Sequence, residues 1–341
     1  MASTPSDPPR ICLVGCGTIG QVHLRAAQAA QPDVSYHAVC DPNTARAHQL
    51  ANQVDKPLHT YARWEDVLED STIEGVDLCV PNTQHAPMTI AALRAGKHVL
   101  VEKPMALSVA DCLAMQEAAC ETGRILTVMH NRRFESAAEL ARQLLSEGNI
   151  GVPCLFLGRG IEGPSIVRAN NWLHTETEGG IAMAQTVHFA YMIEWLLDPV
   201  KRVSCSTSTS GIAEMRAPVT AIFNLTTTSD LIGQLASTFA VAAGAHEHRI
   251  HIYGTGGSIS FARGVVDVIS PSLYGDQAMH QTVFDRTPGR EFARPIGAFG
   301  RAIRGRASPA VTAAEGISAV AVIEAAYRSA REGREVTVQR T

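Results

Sequence analysis

Three short stretches of this chain hold residues whose types and spacing could do chemistry. The first, Gly15-Cys16-Gly17-Thr18-Ile19-Gly20, leaves the apolar run ICLV and opens a helical pattern. Each glycine has a mechanical use: Gly15 for a tight turn, Gly17 for close backbone approach to a pyrophosphate, Gly20 for tight helix–strand packing. The N–H groups around Thr18 and Ile19 then lie at a helix N-terminus, which favours negative charge. Asp41 ends the next apolar run about 20 residues on, where a carboxylate can accept hydrogen bonds from both ribose hydroxyls and repel a 2′-phosphate. In that setting the glycines specify a dinucleotide, NAD in preference to NADP, although Arg46 could still reach a phosphate.

The second stretch is Glu102-Lys103-Pro104, directly after the apolar run HVLV. In open parallel sheets ligands bind beyond the carboxyl ends of the strands, which is where this lysine falls. The chain has four lysines, Lys56, Lys97, Lys103 and Lys201, so Lys103 is not drawn from a lysine-rich surface. Its ammonium could hydrogen-bond a reacting oxygen and lower an alcohol's pKa, with Glu102 orienting it; the plainer reading is a snorkelling strand-end lysine. The third stretch, GGIAMAQTVH at 179–188, ends an almost wholly apolar run on His188. An imidazole there can be an acid/base group, a satisfied core histidine or a metal ligand.

Positioning these groups needs a framework, and the first half of the chain supplies a repeating one. The runs ICLV, SYHAVCD, VDLCV, HVLVEKP and RILTVMH read as strands that are apolar throughout. Helical patterns separate them: 19–30, NTARAHQLANQ capped by Asn43, YARWEDVLED, QHAPMTIAALRAG closed by Gly96, and SVADCLAMQEAACETG between Ser108 and Gly123. Strands of that kind alternating with helices form a parallel sheet covered on both faces, a Rossmann doubly wound α/β domain. After about residue 150 the alternation stops, and AIFNLTTTSDLIGQLASTFA and HRIHIYGTGGSISFARGVVDVI read as successive strands with turns between them.

Composition narrows the partners. The 341 residues are 45% hydrophobic and 18% charged, which predicts a packed globular chain long enough for two domains. A net charge of −4 argues against nucleic acid or an anionic membrane as partner. No apolar run approaches the roughly 18 residues that would span a bilayer. The N-terminal MASTPSDPPR lacks a signal pattern, so a cytoplasmic location is expected. The eight cysteines are scattered with no CxxC pair, as buried, reduced small hydrophobes would be. His246, His248 and His251 in HEHRIH alternate like one face of a strand; without a carboxylate cluster they read as surface, and no metal is expected.

VPNTQHAPMTIAALRAGKHVLVEKPMAL and HNRRFE (130–135), taken with the glycine loop, resemble the glucose–fructose oxidoreductase/inositol dehydrogenase family (Gfo/Idh/MocA). The resemblance runs on through IYGTGGSISF and the closing PAVTAAEGISAVAVIEAAYRSAREGREV. It implies a Rossmann domain over 1–130 and, over 131–341, an α+β substrate-binding and oligomerisation domain on a large open, mainly antiparallel sheet. A C-terminal helix near 311–332 could pack back on the first domain. A sheet of that size implies a homodimer or homotetramer. By the same resemblance Lys103 precedes a cis proline bond, and Pro81, Asn82 and His85 line the nicotinamide side; for His85 a structural hydrogen bond at a helix start is an equal alternative. Asn131, Trp172, Gln185, His188 and Tyr191 are the implied substrate contacts. Trp172 could equally be an ordinary buried tryptophan, and His174, Glu176 and Glu178 are either further contacts or a solvated loop. Arg132 and Arg133 would anchor the cofactor or a domain interface.

The family's second-domain signature is three glycines, an aspartate, and a histidine four residues after it, so that helix geometry turns both side chains to one face. Here Gly179, Gly180 and His188 are present, but Ala184 stands where the aspartate is usual, Gln185 and Thr186 replace an apolar–Gly pair, and Tyr191 replaces a frequent acidic residue. Loss of the carboxylate predicts a lower His188 pKa and a less firmly held ring, with Gln185, Tyr191 or a backbone carbonyl as substitute orienter. The implied activity is NAD(P)-dependent hydride transfer between nicotinamide and a secondary alcohol or ketone of a sugar, cyclitol or related polyol. A non-sugar carbonyl or hemiacetal substrate, a redox-neutral NAD cycle, and a non-catalytic dinucleotide sensor are the alternatives that Ala184 keeps open.

Overall fold

The computed structural model describes residues 7–163, 172–242, 244–275, 279–284 and 289–341, with only the backbone of His174. They gather into two compact units, one within 1–106, 110–134 and 287–316, the other within 107–109, 135–286 and 317–341.

In the first unit the apolar runs form β1 (Arg10–Val14), β2 (Ser35–Cys40), β3 (His59–Tyr61), β4 (Gly75–Leu78), β5 (His98–Glu102) and β6 (Leu126–Met129). They make one six-stranded sheet in the order β3-β2-β1-β4-β5-β6, every pair parallel. This is the doubly wound order of a dinucleotide-binding sheet, which reverses direction between β1 and β4. The strands are apolar at consecutive positions because helices cover both faces: Ile11, Cys12, Leu13, Val99, Leu100 and Val101 are all fully buried. The helices are α1 (Thr18–Ala29), α2 (Thr44–Ala51), α3 (Trp64–Glu69), α4 (Asn82–Arg94) and α5 (Val109–Thr122). Local chemistry ends them where the sequence says. The Asn43 side chain accepts from the Arg46 N–H at the start of α2, and Gly96 and Gly123 take positive φ after α4 and α5. β3 carries no legible apolar run and was not expected; it is an edge strand of three residues.

The chain returns to this unit late. Helix Arg290–Ile303 sets Ile296 and Phe299 against Ile11, Ala26, Ala27 and Leu100, and a Cβ on its Gly300 would lie 2.1 Å from the Asp33 carbonyl oxygen. The expected candidate for such a return was the longer C-terminal helix. That helix, Ala313–Glu332, falls mostly within the second unit, which takes up 317–341. The expected division at residue 130 therefore leaves out the 287–316 segment, which returns to the first unit.

The second unit is built on β7 (Pro153–Ile161), β8 (Val200–Ser208), β9 (Thr220–Thr227), β10 (Ile232–Thr238), β11 (Glu247–Gly254), β12 (Gly257–Ala262), β13 (Val265–Ile269), β14 (His280–Val283) and β15 (Val336–Thr337). Their order is β14-β13-β12-β11-β7-β10-β9-β8-β15, antiparallel except for β7 against β10. Here burial alternates, as in TAIFNLTT of β9, because only one face is covered by helices within the unit. α6 (Ser136–Ser146) lies against β12 and β13, and α7 (Val187–Leu196) against β7. No helix among the described residues is long and apolar enough to cross a membrane.

Candidate active site

The glycine loop closes tightly in the first unit. Gly15 has φ +94°, its N–H donates to the Cys40 carbonyl at 2.8 Å, and a Cβ there would sit 2.2 Å from the Cys79 carbonyl oxygen. A Cβ on Gly20 would lie 2.0 Å from the Gly15 oxygen, so this helix can approach its strand only as glycine. Gly17 differs: nothing lies within 4 Å of its absent Cβ, and no side chain caps the twelve-residue helix that starts after it. Open space in front of uncapped N–H groups at Thr18, Ile19 and Gly20 is what a pyrophosphate requires. Asp41 is buried, its two oxygens accepting the N–H groups of Cys16 at 2.9 Å and Asn43 at 2.8 Å, with Arg46 Nη1 3.6 Å away. The carboxylate thus ties the glycine loop to the start of α2, and its remaining lone pairs are those available to a ribose. The residues present fit NAD.

At the carboxyl ends of β4 and β5 the expected residues do gather. Pro81 precedes α4, and Asn82 opens it and is buried. His85 is 1% exposed, with Nδ1 2.7 Å from the Pro104 carbonyl and Nε2 3.0 Å from the Val80 carbonyl. Its ring lies between these two carbonyls and, while neutral, donates its one N–H to either of them, a placement that suits the structural alternative. Lys103 follows β5 half-buried, and the Lys103–Pro104 bond is cis. Glu102 grips the lysine's backbone: Oε2 accepts the Lys103 N–H at 3.0 Å. Asn131, buried, starts a short turn after β6, and Arg133 pairs with Glu315 at 2.8 Å. Beside them His130 is 1% exposed; burial, then the charges of Lys103 and Arg133, push its pKa down to about 3.

Sequence reasoning missed a line of buried charge beneath Lys103. His23, on α1, sets Nδ1 2.8 Å from Asp77 Oδ2 and Nε2 3.0 Å from Glu102 Oε1. The Tyr36 hydroxyl donates to the same Asp77 oxygen at 2.5 Å. The legible signal was a histidine three residues past the last glycine, facing the sheet one turn into α1.

In the second unit, Gly179 and Gly180 both take positive φ, and a Cβ on Gly180 would lie 2.8 Å from the Pro218 carbonyl oxygen. The Tyr327 hydroxyl donates to the Gly179 carbonyl. The segment that follows is not the α-helix assumed for the spacing of residues 184 and 188. Ala182–Thr186 is a π-helix that runs directly into α7, and such a bulge changes the facing of side chains four apart. His188 and Tyr191 are buried on α7. Gln185, one of the three candidate orienters of His188, brings its amide nitrogen 2.9 Å from Nε2 of His248, and that imidazole pairs with Glu162. The three HEHRIH histidines therefore do not share a face. His248 turns inward to this cluster, His251 lies on the opposite face near Ser260, and His246 is exposed. Glycines at 158 and 160 on β7 let the π segment close down on the sheet: a Cβ on Gly160 would meet Phe189 at 2.7 Å and Gln185 at 3.0 Å. Trp172 is 40% exposed, which excludes the ordinary buried tryptophan, and Glu178 is buried and not part of a solvated loop. Of the cysteines, Cys120 and Cys154 are exposed, against expectation.

Both parts of the chain match models of one family. Residues 9–130 match its NAD-binding Rossmann fold and 142–338 its C-terminal alpha/beta domain, each described as belonging to the Gfo/Idh/MocA oxidoreductase family. The chain belongs to this family. It is an oxidoreductase with an NAD-binding Rossmann domain. Among relatives of full length, the chain is 26% identical to a 1,5-anhydro-D-fructose reductase of Ensifer adhaerens, covering 96% of this chain and 98% of the relative. It is 25% identical to a myo-inositol 2-dehydrogenase of Thermotoga maritima, covering 97% and 98%. Among solved structures, levoglucosan dehydrogenase in complex with NADH and levoglucosan superimposes with a TM-score of 0.90 at 22% identity, over 98% of this chain and 100% of that one.

Proposed function

We propose that this family member oxidises a secondary alcohol of a sugar, cyclitol or related polyol, or reduces the matching ketone. Bound NAD supplies the hydride acceptor at the nicotinamide. The observation that carries the reading is Lys103 at the carboxyl end of β5, its backbone gripped by the buried Glu102 carboxylate. The ammonium donates a hydrogen bond to the reacting oxygen and stabilises the alkoxide-like charge that develops there. His188, Gln185 and Tyr191 are the polyol contacts in this reading, with His188 exchanging the proton. Asn131, Trp172, Pro81, Asn82 and the Gly15–Gly20 loop complete the proposed contacts to substrate and cofactor.

The relatives named above act on an anhydro sugar and a cyclitol, and they support this substrate class. The test is a spectroscopic screen of anhydro sugars, aldoses and inositols with NAD and NADP, read at the reduced-nicotinamide band. Turnover of at least one polyol with NAD is expected; failure to bind either dinucleotide overturns the reading. Ala184 favours a second reading, in which the substrate lies outside ordinary sugars or NAD is reduced and reoxidised within one turnover. Product formation with no net NADH would decide for it.

Two coarser features belong with this proposal. Every cysteine among the described residues is free, which suits the reducing cytoplasm. The outward face of the second sheet carries exposed apolar side chains, which suits a homodimer or homotetramer.

A further inference from the structure

His23 has no part in the reading above, yet it is among the most constrained ionisable groups in the chain. It is fully buried, and each ring nitrogen is within hydrogen-bond distance of a different buried carboxylate, Asp77 at 2.8 Å and Glu102 at 3.0 Å. A neutral imidazole has one donor and one acceptor nitrogen, so it can satisfy only one carboxylate; an imidazolium donates to both. Two buried carboxylates without a cation between them would carry an uncompensated charge, which is strongly destabilising.

We propose that His23 is a positioning residue for Lys103: as an imidazolium clamped between Asp77 and Glu102, it keeps Glu102 ionised and fixed, and Glu102 in turn holds the lysine's main-chain N–H. The chain of contacts is continuous within the first unit, from the Tyr36 hydroxyl through Asp77, His23 and Glu102 to Lys103 N. The groups facing the ring agree with a charged state. Asp77 comes from β4 and Glu102 from β5, while burial pushes the Cys79 thiol, just beyond β4, up to about 12 and keeps it neutral. Helix Arg290–Ile303 offers the uncharged Phe292 ring, 5.4 Å away between centroids. Burial alone would lower the His23 pKa, but the Asp77 charge and hydrogen bond leave it raised well above the ordinary value. Burial likewise would raise Glu102; the hydrogen bond and charge of His23, then the charges of Lys103 and His85, leave it lowered. Asp77, His23 and Cys79 also come close enough to hold a metal ion, a competing explanation that the experiment must separate.

This inference rests on Lys103 being the group that meets the reacting oxygen, so one arm of the test needs no turnover. In uniformly 15N-histidine-labelled protein, the His23 ring, assigned by its absence in His23→Gln among the 13 histidines, is expected to stay doubly protonated from pH 6 to 9. Loss of a ring proton in that range, or a shift on removing metal with a chelator, overturns the proposal whatever the enzyme's activity. The second arm measures kcat and KM on the best polyol from the screen, with NAD affinity read by fluorescence. His23→Gln should lower kcat at least tenfold while leaving the NAD Kd within about twofold, because the glycine loop is not touched. The double variant His23→Gln/Asp77→Asn removes one buried charge together with its partner, so Glu102 can stay ionised and kcat should recover at least threefold over the single variant. A merely structural histidine predicts the reverse: lower Tm, unchanged kcat per NAD-binding site, and a double variant no better than the single. Either result overturns the proposal.

Discussion

Lys103 and His130 sit close enough for the lysine's charge to act on the imidazole. Replacing Lys103 by alanine removes the donor to the developing oxyanion but leaves Gly15, Gly17, Gly20 and Asp41 in place. The expected result is a fall in kcat of about 10²-fold or more, in the range of positioned acid–base groups, with NAD affinity close to that of the native protein. Steady-state kinetics and a fluorescence titration measure the two separately; unchanged turnover would remove Lys103 from the chemistry, whereas NAD binding without turnover of any polyol in the native protein would mark a sensor. His130 bears on stability. Its pKa is pushed down to about 3 by burial and by Lys103 and Arg133, and that of His98 to about 4 by burial and Arg124. Both are therefore neutral in the folded chain, whereas in the unfolded chain they gain protons near pH 6.5. Their contribution is present above pH 6.5 and is lost as pH falls toward 4, with a slope of about 1.4 kcal/mol per pH unit for each group. Denaturant unfolding between pH 7 and 4.5 should show stability falling, and His130→Gln should flatten the slope by about one proton. At this scale Gly15–Gly20, Asp41 and the Glu102-Lys103-Pro104 triplet were legible in the sequence, because each needs a particular residue type at a fixed place on a strand end. His23, Asp77 and Tyr36 were not, because buried charges that neutralise one another look like isolated polar residues until the sheet sets β2 and β4 on either side of β1, with β5 next to β4.

Among the elements, legibility followed hydrophobic pattern. The parallel strands of the first sheet announce themselves as continuous apolar runs, since helices cover both faces. β3 did not, being short and at an edge, and helix Arg290–Ile303 was masked by Pro295 in its middle, although Phe292, Ile296, Phe299 and Ile303 recur at helical spacing. The π segment Ala182–Thr186 was beyond sequence pattern altogether, since one extra residue in a helical turn leaves no periodic trace in so apolar a stretch. Its seat on the sheet is nonetheless readable after the fact, from the glycines at 158 and 160. Gly160→Ala tests that seat. The new methyl would press on Phe189 at 2.7 Å and on the Gln185 side chain at 3.0 Å. Overpacking of this kind costs about 1–3 kcal/mol, and any displacement of Gln185 moves the amide away from His248 and Glu162. Calorimetry should show a lower Tm, and polyol KM should rise more than NAD Kd. A change in NAD affinity alone would place the segment outside the polyol site.

For the whole molecule, the open question is what covers the outward face of the nine-stranded sheet. Across three neighbouring strands Tyr253, Leu155 and Ile232 are in register, and Ile222 lies on the same face of β9 further along, opposite Ala236. Ile232 is 60% exposed, Ile222 42% and Tyr253 40%. Single exposed apolar residues are ordinary, but a contiguous row on a flat sheet marks an interaction surface. A second copy is the economical partner, because a two-fold axis pairs one patch with itself and a stable interface needs only about 800 Å² from each copy. Placing a charge in the row, as in Ile232→Lys, would then bury an ammonium group in an apolar interface on each copy. Light scattering coupled to size-exclusion chromatography should find the native protein as a dimer or tetramer and the variant shifted toward monomer, with NAD affinity unchanged because the Rossmann sheet is untouched. A native monomer would leave this face without a self-partner, and an Ile232→Lys protein that still assembles would put the interface elsewhere on the sheet.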